Sequence, residues 1–552
     1  MSYGLLAVLP YLLVNESRIS DIEEKLFKIE YKLRLLYPFV TVYRDGDYAV
    51  VVDGKTKEVI ARSTDHAEMV RKAIDSLTPN RTWKETVVVV GDFVISKSIV
   101  VPSHTRLVLL GRLVADENWN PEMHSGVIEL GERNSVVEDV EIVGGKIVGN
   151  YFSEYPTASG KNSYVSGIHS YATIIEALIH NISFENLRSP ITLEKLGANQ
   201  DTPSRKITIR DIYFKNMYVG VQTYANGYAY RDVLIDNIRA ENCYDDVVAV
   251  VGHYGGVPDA IPYVRHIIVE NVIVHDKNGG AGAVVKIDAG DAYDGTFGRM
   301  SHITVENINA YTSSPDDNLI VLFKGRFTEH IILNNIQGRG EFKYGIWLQT
   351  RGKYIKITNF DIQANYQIFL QFTDPPFAGQ DIQIEHGTLM PRESDVNSNT
   401  VAGYGIVLAA GASDQGVENL KVKDVYFMWT EYPIYEGDTP PAGVRGTYKN
   451  NYYEIDVGNR QYAHLVITSD PVVLKVYKRG APITFNSGVA TISAGSTRVT
   501  VSHGLAKAPR IILLTPAGNA RVWYENVTNT SFDIVTDTAP STDLNIAWYA
   551  EV

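Results

Sequence analysis

The 552-residue chain reads as all-β, a parallel β-helix of about 10–11 coils, and three observations carry that reading. A short phrase recurs, as in Leu234-Ile235-Asp236-Asn237-Ile238, Ile268-Val269-Glu270-Asn271-Val272 and Thr304-Val305-Glu306-Asn307-Ile308. Its anchor falls at 111, 144, 181, 211, 237, 271, 307, 335, 359, 386 and 424, in steps of 24 to 38 residues. Each phrase alternates apolar and polar residues with the period of two that marks a strand. A second apolar run follows in each coil, such as Val221-Gln222-Thr223-Tyr224 or Ile346-Trp347-Leu348-Gln349, with no helical periodicity between them. Coils of this kind bury their apolar interior only by stacking. Asparagine at the anchor suits a bend, because it tolerates left-handed backbone angles, and stacked asparagines are expected to form an internal amide ladder.

Residues 1–37 are expected to form a docking segment and an oligomerisation helix. The apolar run Gly4 to Val14 is too short to span a bilayer, is interrupted by Pro10, and lacks the basic flank and cleavage site of a signal peptide. Ile19, Ile22, Leu26, Ile29, Leu33 and Leu36 form a heptad seam, ended by Pro38. Leucine at a with isoleucine at d, as in Leu26 and Ile29, favours three or four strands over two, with an amphipathic helix packed on its own chain as the alternative. Residues 38–85 read as a hairpin and a helix beginning at Ser63-Thr64-Asp65, which would cap the open end of the coils. Residues 86–435 are the β-helix, and 436–469, rich in Gly, Pro and Thr, a boundary. Residues 470–552 read as a small C-terminal β-sandwich, with strands such as Arg510-Ile511-Ile512-Leu513-Leu514.

A formal charge of −13 argues against a nucleic-acid partner. The single cysteine, Cys243, excludes an intramolecular disulfide and a cysteine-based zinc site. Thirty-four tyrosines against seven methionines suit an exposed carbohydrate-facing surface. The acidic stretch Asp288 to Gly295 lacks EF-hand spacing, and no metal or cofactor is expected.

The order of parts resembles the tailspike proteins of viruses: helical anchor, hairpin, capping helix, right-handed parallel β-helix and terminal β-sandwich. The coils are similar to the pectate-lyase-like superfamily, and Ala490 to Leu505 looks like a small module found on surface glycan-active proteins. The resemblance implies a trimeric spike on the virion tail, outside the cell. Residues 1–37 would meet a tail or baseplate protein, and the coils a host surface polysaccharide or glycoprotein glycan, which such spikes often cleave. A secreted polysaccharide hydrolase and a non-enzymatic cellular adhesin of the same fold are the alternatives. Asp245-Asp246 before an apolar strand, then Gly252-His253 and Val285-Lys286-Ile287, is similar to polygalacturonase-type hydrolases. It departs from them in the short step to His253, in Tyr254 in place of a glycine, and in Val284-Val285 in place of a basic residue.

Alternation along the second run gives the candidate site. With Ile, Val and Leu inward, one outward column is Thr192, Gln222, Val248, Lys286, Val321, Trp347 and Phe369. The next holds Glu194, Tyr224, Val250, Asp288, Phe323, Gln349 and Gln371. Aromatics beside amides and carboxylates are what a sugar groove needs. Glu194, Gln222, Tyr224, His253, Lys286, Trp347, Gln349, Phe369 and Gln371 are therefore expected to bind substrate. Glycoside hydrolysis takes two carboxyls about 5–9.5 Å apart. Glu194 and Asp288, three coils apart at about 4.8 Å each, are too distant. Asp245 and Asp246 lie one coil from Asp288, so these three are the expected catalytic set, with an ordinary turn role as the alternative for the aspartate pair.

Overall fold

The structure is a computed structural model. It describes residues 39–119, 125–149, 165–195, 202–226, 230–253, 263–277, 282–290, 298–372, 378–398, 402–410, 416–437 and 447–458, and then 465, 467, 471–478, 481–482, 484–505 and 507–552. The expected docking segment and heptad helix lie outside the described residues, as does most of the acidic stretch after Gly290. The chain divides into two compact units, 1–199 with 206–214, and 200–205 with 215–552.

In the first unit, Val40–Asp45, Tyr48–Asp53 and Val59–Ser63 form an antiparallel meander, with Val40 opposite Asp53 and Val51 opposite Ala61. Val40–Asp45 also pairs in parallel with Glu85–Ile95, so the meander joins the coil sheet. The helix His66–Asp75 starts where the Asp65 carboxyl accepts the Glu68 N–H at 2.9 Å, satisfying one of the orphan donors of the first turn. It buries Ala67, Met69, Val70, Ala73 and Ile74. Coil strands then stack in parallel: Glu85–Ile95 on Thr105–Ala115, and Val136–Val143 on Thr173–Leu187. A second line of short strands runs Ile99–Val101, Ser125–Leu130, Val165–Ser170 and Ile191–Lys195.

The second unit repeats the pattern. Arg231–Cys243, Tyr263–Lys277 and Gly298–Thr312 pair in register, and the long strands Asn318–Gly340, Tyr344–Gln363 and Ala378–Met390 continue the stack. Inward residues form continuous apolar columns, as in Ile303, Ile331, Ile355 and Ile382, all almost wholly buried. Each such aliphatic side chain contributes about 1.5–3 kcal/mol by burial, and this holds one coil on the next. At Gly387 a Cβ would come within 2.0 Å of the Phe360 ring from the coil before, so only glycine lets that ring fill the interior. This is a parallel β-helix.

Every anchor from Gly144 to Asp424 has positive φ, with Asn237, Asn271, Asn307, Asn335 and Asn359 between +50 and +57°. The asparagine ladder exists, but on the outside. Asn307 Nδ2 donates to Asn271 Oδ1 at 3.0 Å and Asn335 to Asn307 at 2.8 Å, and all three side chains are exposed. The expected internal ladder is thereby corrected: the left-handed bend turns the amide to solvent and leaves the interior to apolar residues. A second left-handed column lies five residues earlier, at Glu176, Lys206, Asp232, His266, His302, His330, Tyr354, Asp381 and Asn419.

The coils also run further than expected. Lys421–Phe427, Tyr452–Asp456 and Val473–Lys478 pair in parallel, so coil strands continue past 435. The C-terminal residues form two antiparallel three-stranded sheets. Phe485–Ile492, Leu544–Glu551 and Ile511–Pro516 make one, and Arg498–Ser502, Ser531–Thr536 and Val522–Glu525 the other. Ile492, Val501, Ile512, Phe532, Ile534, Ile546 and Trp548 share a core between them.

Candidate functional site

The short strands of the second unit set the site. Register places Gln222, Ala249, Lys286, Val321, Trp347, Phe369, Val407 and Tyr435 in one column. Ala249 stands where Val248 was expected, and Val251 where Val250 was, because the coil after Asp245-Asp246 is one residue out of step with the alternation read from sequence. Tyr224, Val251, Asp288 and Phe323 form the neighbouring column, and Gln349 pairs with Gln371. His253 ends its strand opposite Asn226. Glu194 belongs to the first unit.

A third column was missed: Asn318, Tyr344, Tyr366, Tyr404 and Tyr432. Successive tyrosine rings stack at 5.0 Å with interplanar angles of 9 to 19°. Their faces cover one another, so edges and hydroxyls line the outer surface. Burial pushes the phenols of all four tyrosines above their ordinary value, which keeps them hydrogen-bond donors. The signal was present as Tyr-x-Ile, in Tyr344-Gly345-Ile346, Tyr366-Gln367-Ile368, Tyr404-Gly405-Ile406 and Tyr432-Pro433-Ile434. Beside them, Trp347 stands edge-on to Phe323 at 4.5 Å, and its Nε1 donates to Gln371 Oε1 at 3.2 Å. Phe369 is only 2% exposed, packed with Tyr344, Trp347 and Tyr366. It supports the platform and is not a sugar contact, which corrects its expected role: an outward direction is not exposure when neighbouring rings lean over it.

The carboxyl cluster sits earlier in the same stack, with Asp245-Asp246 at the turn before Val248–His253 and Lys286 and Asp288 on Ala283–Asp288. Asp246 is 5% exposed; its Oδ1 accepts the Ala283 N–H at 2.8 Å and its Oδ2 accepts from Lys286 Nζ at 3.1 Å. Asp288, 9% exposed, lies two residues along the strand from Lys286 and accepts the Gly290 N–H at 2.8 Å. Burial would lower the Lys286 ammonium, but Asp246, Asp288 and Asp245 outweigh it and raise the group above its ordinary value. Asp245 is half-buried. Burial, and then the adjacent Asp246 carboxyl, push it above the usual carboxylate range, against the pull of Lys286 and Lys277. Gly282 makes the cluster possible, since a Cβ there would lie 2.6 Å from Asp245 Oδ1 and 2.5 Å from its carbonyl carbon.

Beneath the aspartate turn is a buried ion pair that sequence reasoning missed. Lys277 and Asp317 are both wholly buried and bonded to one another. Lys277 Nζ also donates to the Tyr244 carbonyl at 3.2 Å, one residue before Asp245, and Thr312 Oγ1 donates to Asp317 at 2.7 Å. Tyr218 and Tyr244 stack at 5.5 Å just ahead of the turn. Cys243 is wholly buried there, and burial raises its thiol, so it is an inert packing group. The chemistry available is a carboxyl at Asp245 held above the usual carboxylate range, a second carboxyl at Asp288, a cation at Lys286, and an aromatic face two coils beyond.

In the first unit, Glu194 meets a different group. His169, wholly buried, has Nδ1 at 2.9 Å from Glu129 and Nε2 at 3.8 Å from Glu194. The second distance is too long for a hydrogen bond, so charge attraction alone acts there. Burial would lower the imidazole, yet the two glutamates carry it up to about 9. Glu194 thus braces a histidine. Among the described residues, no cluster of three or more His, Cys, Asp or Glu is placed to hold a metal ion.

No family model matches the chain, and no curated protein matches it. Solved structures of the tailspike protein of E. coli bacteriophage HK620 are similar to it. Two single-substitution mutants in complex with pentasaccharide give TM-scores of 0.44 and 0.42 at 12% and 11% identity. A further mutant in complex with hexasaccharide gives 0.41 at 12% identity. Each match covers 88% of this chain and 89% of the other.

Proposed function

We propose that the chain is a spike protein of a virion that binds a host-surface glycan along the short-strand face of the second unit and hydrolyses it beside Asp245. The observation that carries this is the convergence of three outer columns. Tyrosine hydroxyls, Trp347 with Gln371, and the Asp245, Asp246, Lys286 and Asp288 cluster occupy consecutive coils of one sheet face. A polymer lying along the coils meets a repeating set of contacts at the coil spacing, about 4.8 Å.

Asp245 is assigned as general acid, giving its proton to the glycosidic oxygen as the bond to the anomeric carbon breaks. Asp288 is assigned as the second carboxyl, accepting a proton from the water that attacks that carbon. Asp246 positions Lys286 and the Ala283 amide and takes no part in proton transfer, since both of its oxygens are engaged. Gln222, Tyr224, Lys286, Gln349 and Gln371 are assigned to substrate hydroxyls.

Trp347→Ala is expected to weaken binding of polysaccharide prepared from the host envelope about tenfold, the value of an aromatic contact near 1.4 kcal/mol. Unchanged affinity in a variant with parental melting would remove the aromatic face from the account. A homotrimer joined through the 1–37 helix and attached there to the virion tail belongs to the same proposal, on the heptad seam at Ile19 to Leu36. Light scattering is expected to give three times 61.4 kDa, and a mass of 61.4 kDa would contradict it.

A further inference from the structure

The C-terminal module has two polar regions that differ in one respect. On the face of the sheet formed by Arg498–Ser502, Ser531–Thr536 and Val522–Glu525, the charges are knitted together. Arg498 donates to Asp533 at 2.5 Å and to Glu525 at 3.0 Å, and Thr500 and Asn526 donate to the same aspartate at 2.7 and 2.8 Å. At the loop end, segments 519–521 and 536–544 line an open concavity of about 550 Å³. Asn519, Arg521, Asp537, Ser541 and Thr542 line it, and among the described residues their side chains make no hydrogen bond or ion pair. One region pairs its charges within the chain, whereas the five polar groups around the concavity are exposed and face solvent.

The loops themselves are fixed. Asp543 accepts the Ala494 N–H at 3.0 Å, Gly495 N–H donates to the Pro540 carbonyl at 2.9 Å, and Thr536 N–H donates to the Thr497 carbonyl at 3.0 Å. The cavity is of ligand size, within the range of about 300–1,000 Å³. Its chemistry selects the ligand. Arg521 opposes a bare divalent cation, and Asp537 with Asp543 opposes phosphate or a polyanion. Carboxyl, amide, guanidinium and hydroxyl groups side by side offer both acceptors and donors, as vicinal sugar hydroxyls require, and Pro540 and Leu544 add a small apolar contact.

We propose that this loop end is a second saccharide site, taking one or two rings of a neutral glycan. It does not depend on the coil face. The test is saturation-transfer NMR on the full chain with neutral di- and trisaccharides of glucose, galactose and mannose as probes. At least one probe is expected to bind. Its Kd is expected to rise at least about tenfold in Arg521→Ala and in Asp537→Asn, the loss of about 1.4 kcal/mol that one charge-assisted hydrogen bond supplies. Trp347→Ala is expected to leave that binding unchanged. Both pocket variants are expected to melt with the parent, because the side chains hold nothing within the chain; a clear fall in melting temperature would overturn the proposal. So would the absence of binding by every neutral probe, or binding lost in Trp347→Ala and kept in the pocket variants. Occupation of the cavity by calcium ion or inorganic phosphate instead would overturn it as well.

Discussion

Asp245→Asn is expected to lower turnover on host polysaccharide by about 10²- to 10⁴-fold, the usual contribution of a positioned general acid, with glycan affinity nearly unchanged. Asparagine keeps the shape of the turn and removes the proton. Burial and Asp246 raise the Asp245 carboxyl, so the parent's rate is expected to fall as pH rises through that raised value, and the variant to lose this limb. Stability changes in the same direction with pH. The folded state holds this proton more tightly than the unfolded chain, so the contribution of Asp245 is lost as pH rises through its folded pKa. Asparagine escapes that penalty, and the variant is expected to melt no lower than the parent at neutral pH. Parental turnover in the variant would exclude Asp245 as the acid. A parent that releases no oligosaccharide from host polysaccharide would leave a binding protein without hydrolysis.

Lys277→Met is expected to be the most destabilising single change near the site, by about 3–5 kcal/mol, because it strands a buried Asp317 carboxyl. The ammonium also ties the Tyr244 carbonyl, so the Asp245-Asp246 turn is expected to shift and glycan turnover to fall with stability. Lys277→Met with Asp317→Leu removes both charges and is expected to melt well above the single variant. Thermal unfolding of the three proteins checks the order. A double variant melting at or below Lys277→Met would mean that the pair is not what holds the turn.

The bends were legible because asparagine is among the few residues that accept a left-handed φ, and Asn237 to Asn359 repeat it in phase with the apolar runs. The bend five residues earlier was not, since it is shared among His, Asp, Asn, Glu, Lys and Tyr with no single recurring residue, and Glu176, Lys206 and Tyr354 adopt the angle only under the stacking of the coils. Direction of side chains was readable wherever alternation was strict, as at Lys286, Trp347 and Gln371. It slipped at Val248, where a one-residue change of phase moves each side chain to the other face. Tertiary cover was not readable: Phe369 points outward and is buried by tyrosines from neighbouring coils. The same limit hid the Lys277–Asp317 pair, whose partners lie 40 residues apart and meet only through the stack. The Gly- and Pro-rich stretch after Glu436 read as a boundary because loops and linkers share composition, while Tyr452–Asp456 and Val473–Lys478 still carry the alternation that returns them to the stack.

The most direct test of the glycan-binding face is a crystal structure of the Asp245→Asn chain soaked with an oligosaccharide prepared from host envelope polysaccharide. The account predicts sugar density along the short-strand face of the second unit. One ring would lie within hydrogen-bond reach of residue 245 and Asp288, and others beside Trp347, Gln371 and the hydroxyls of Tyr344 and Tyr366. Sugar bound elsewhere, with this face left to solvent, would contradict it.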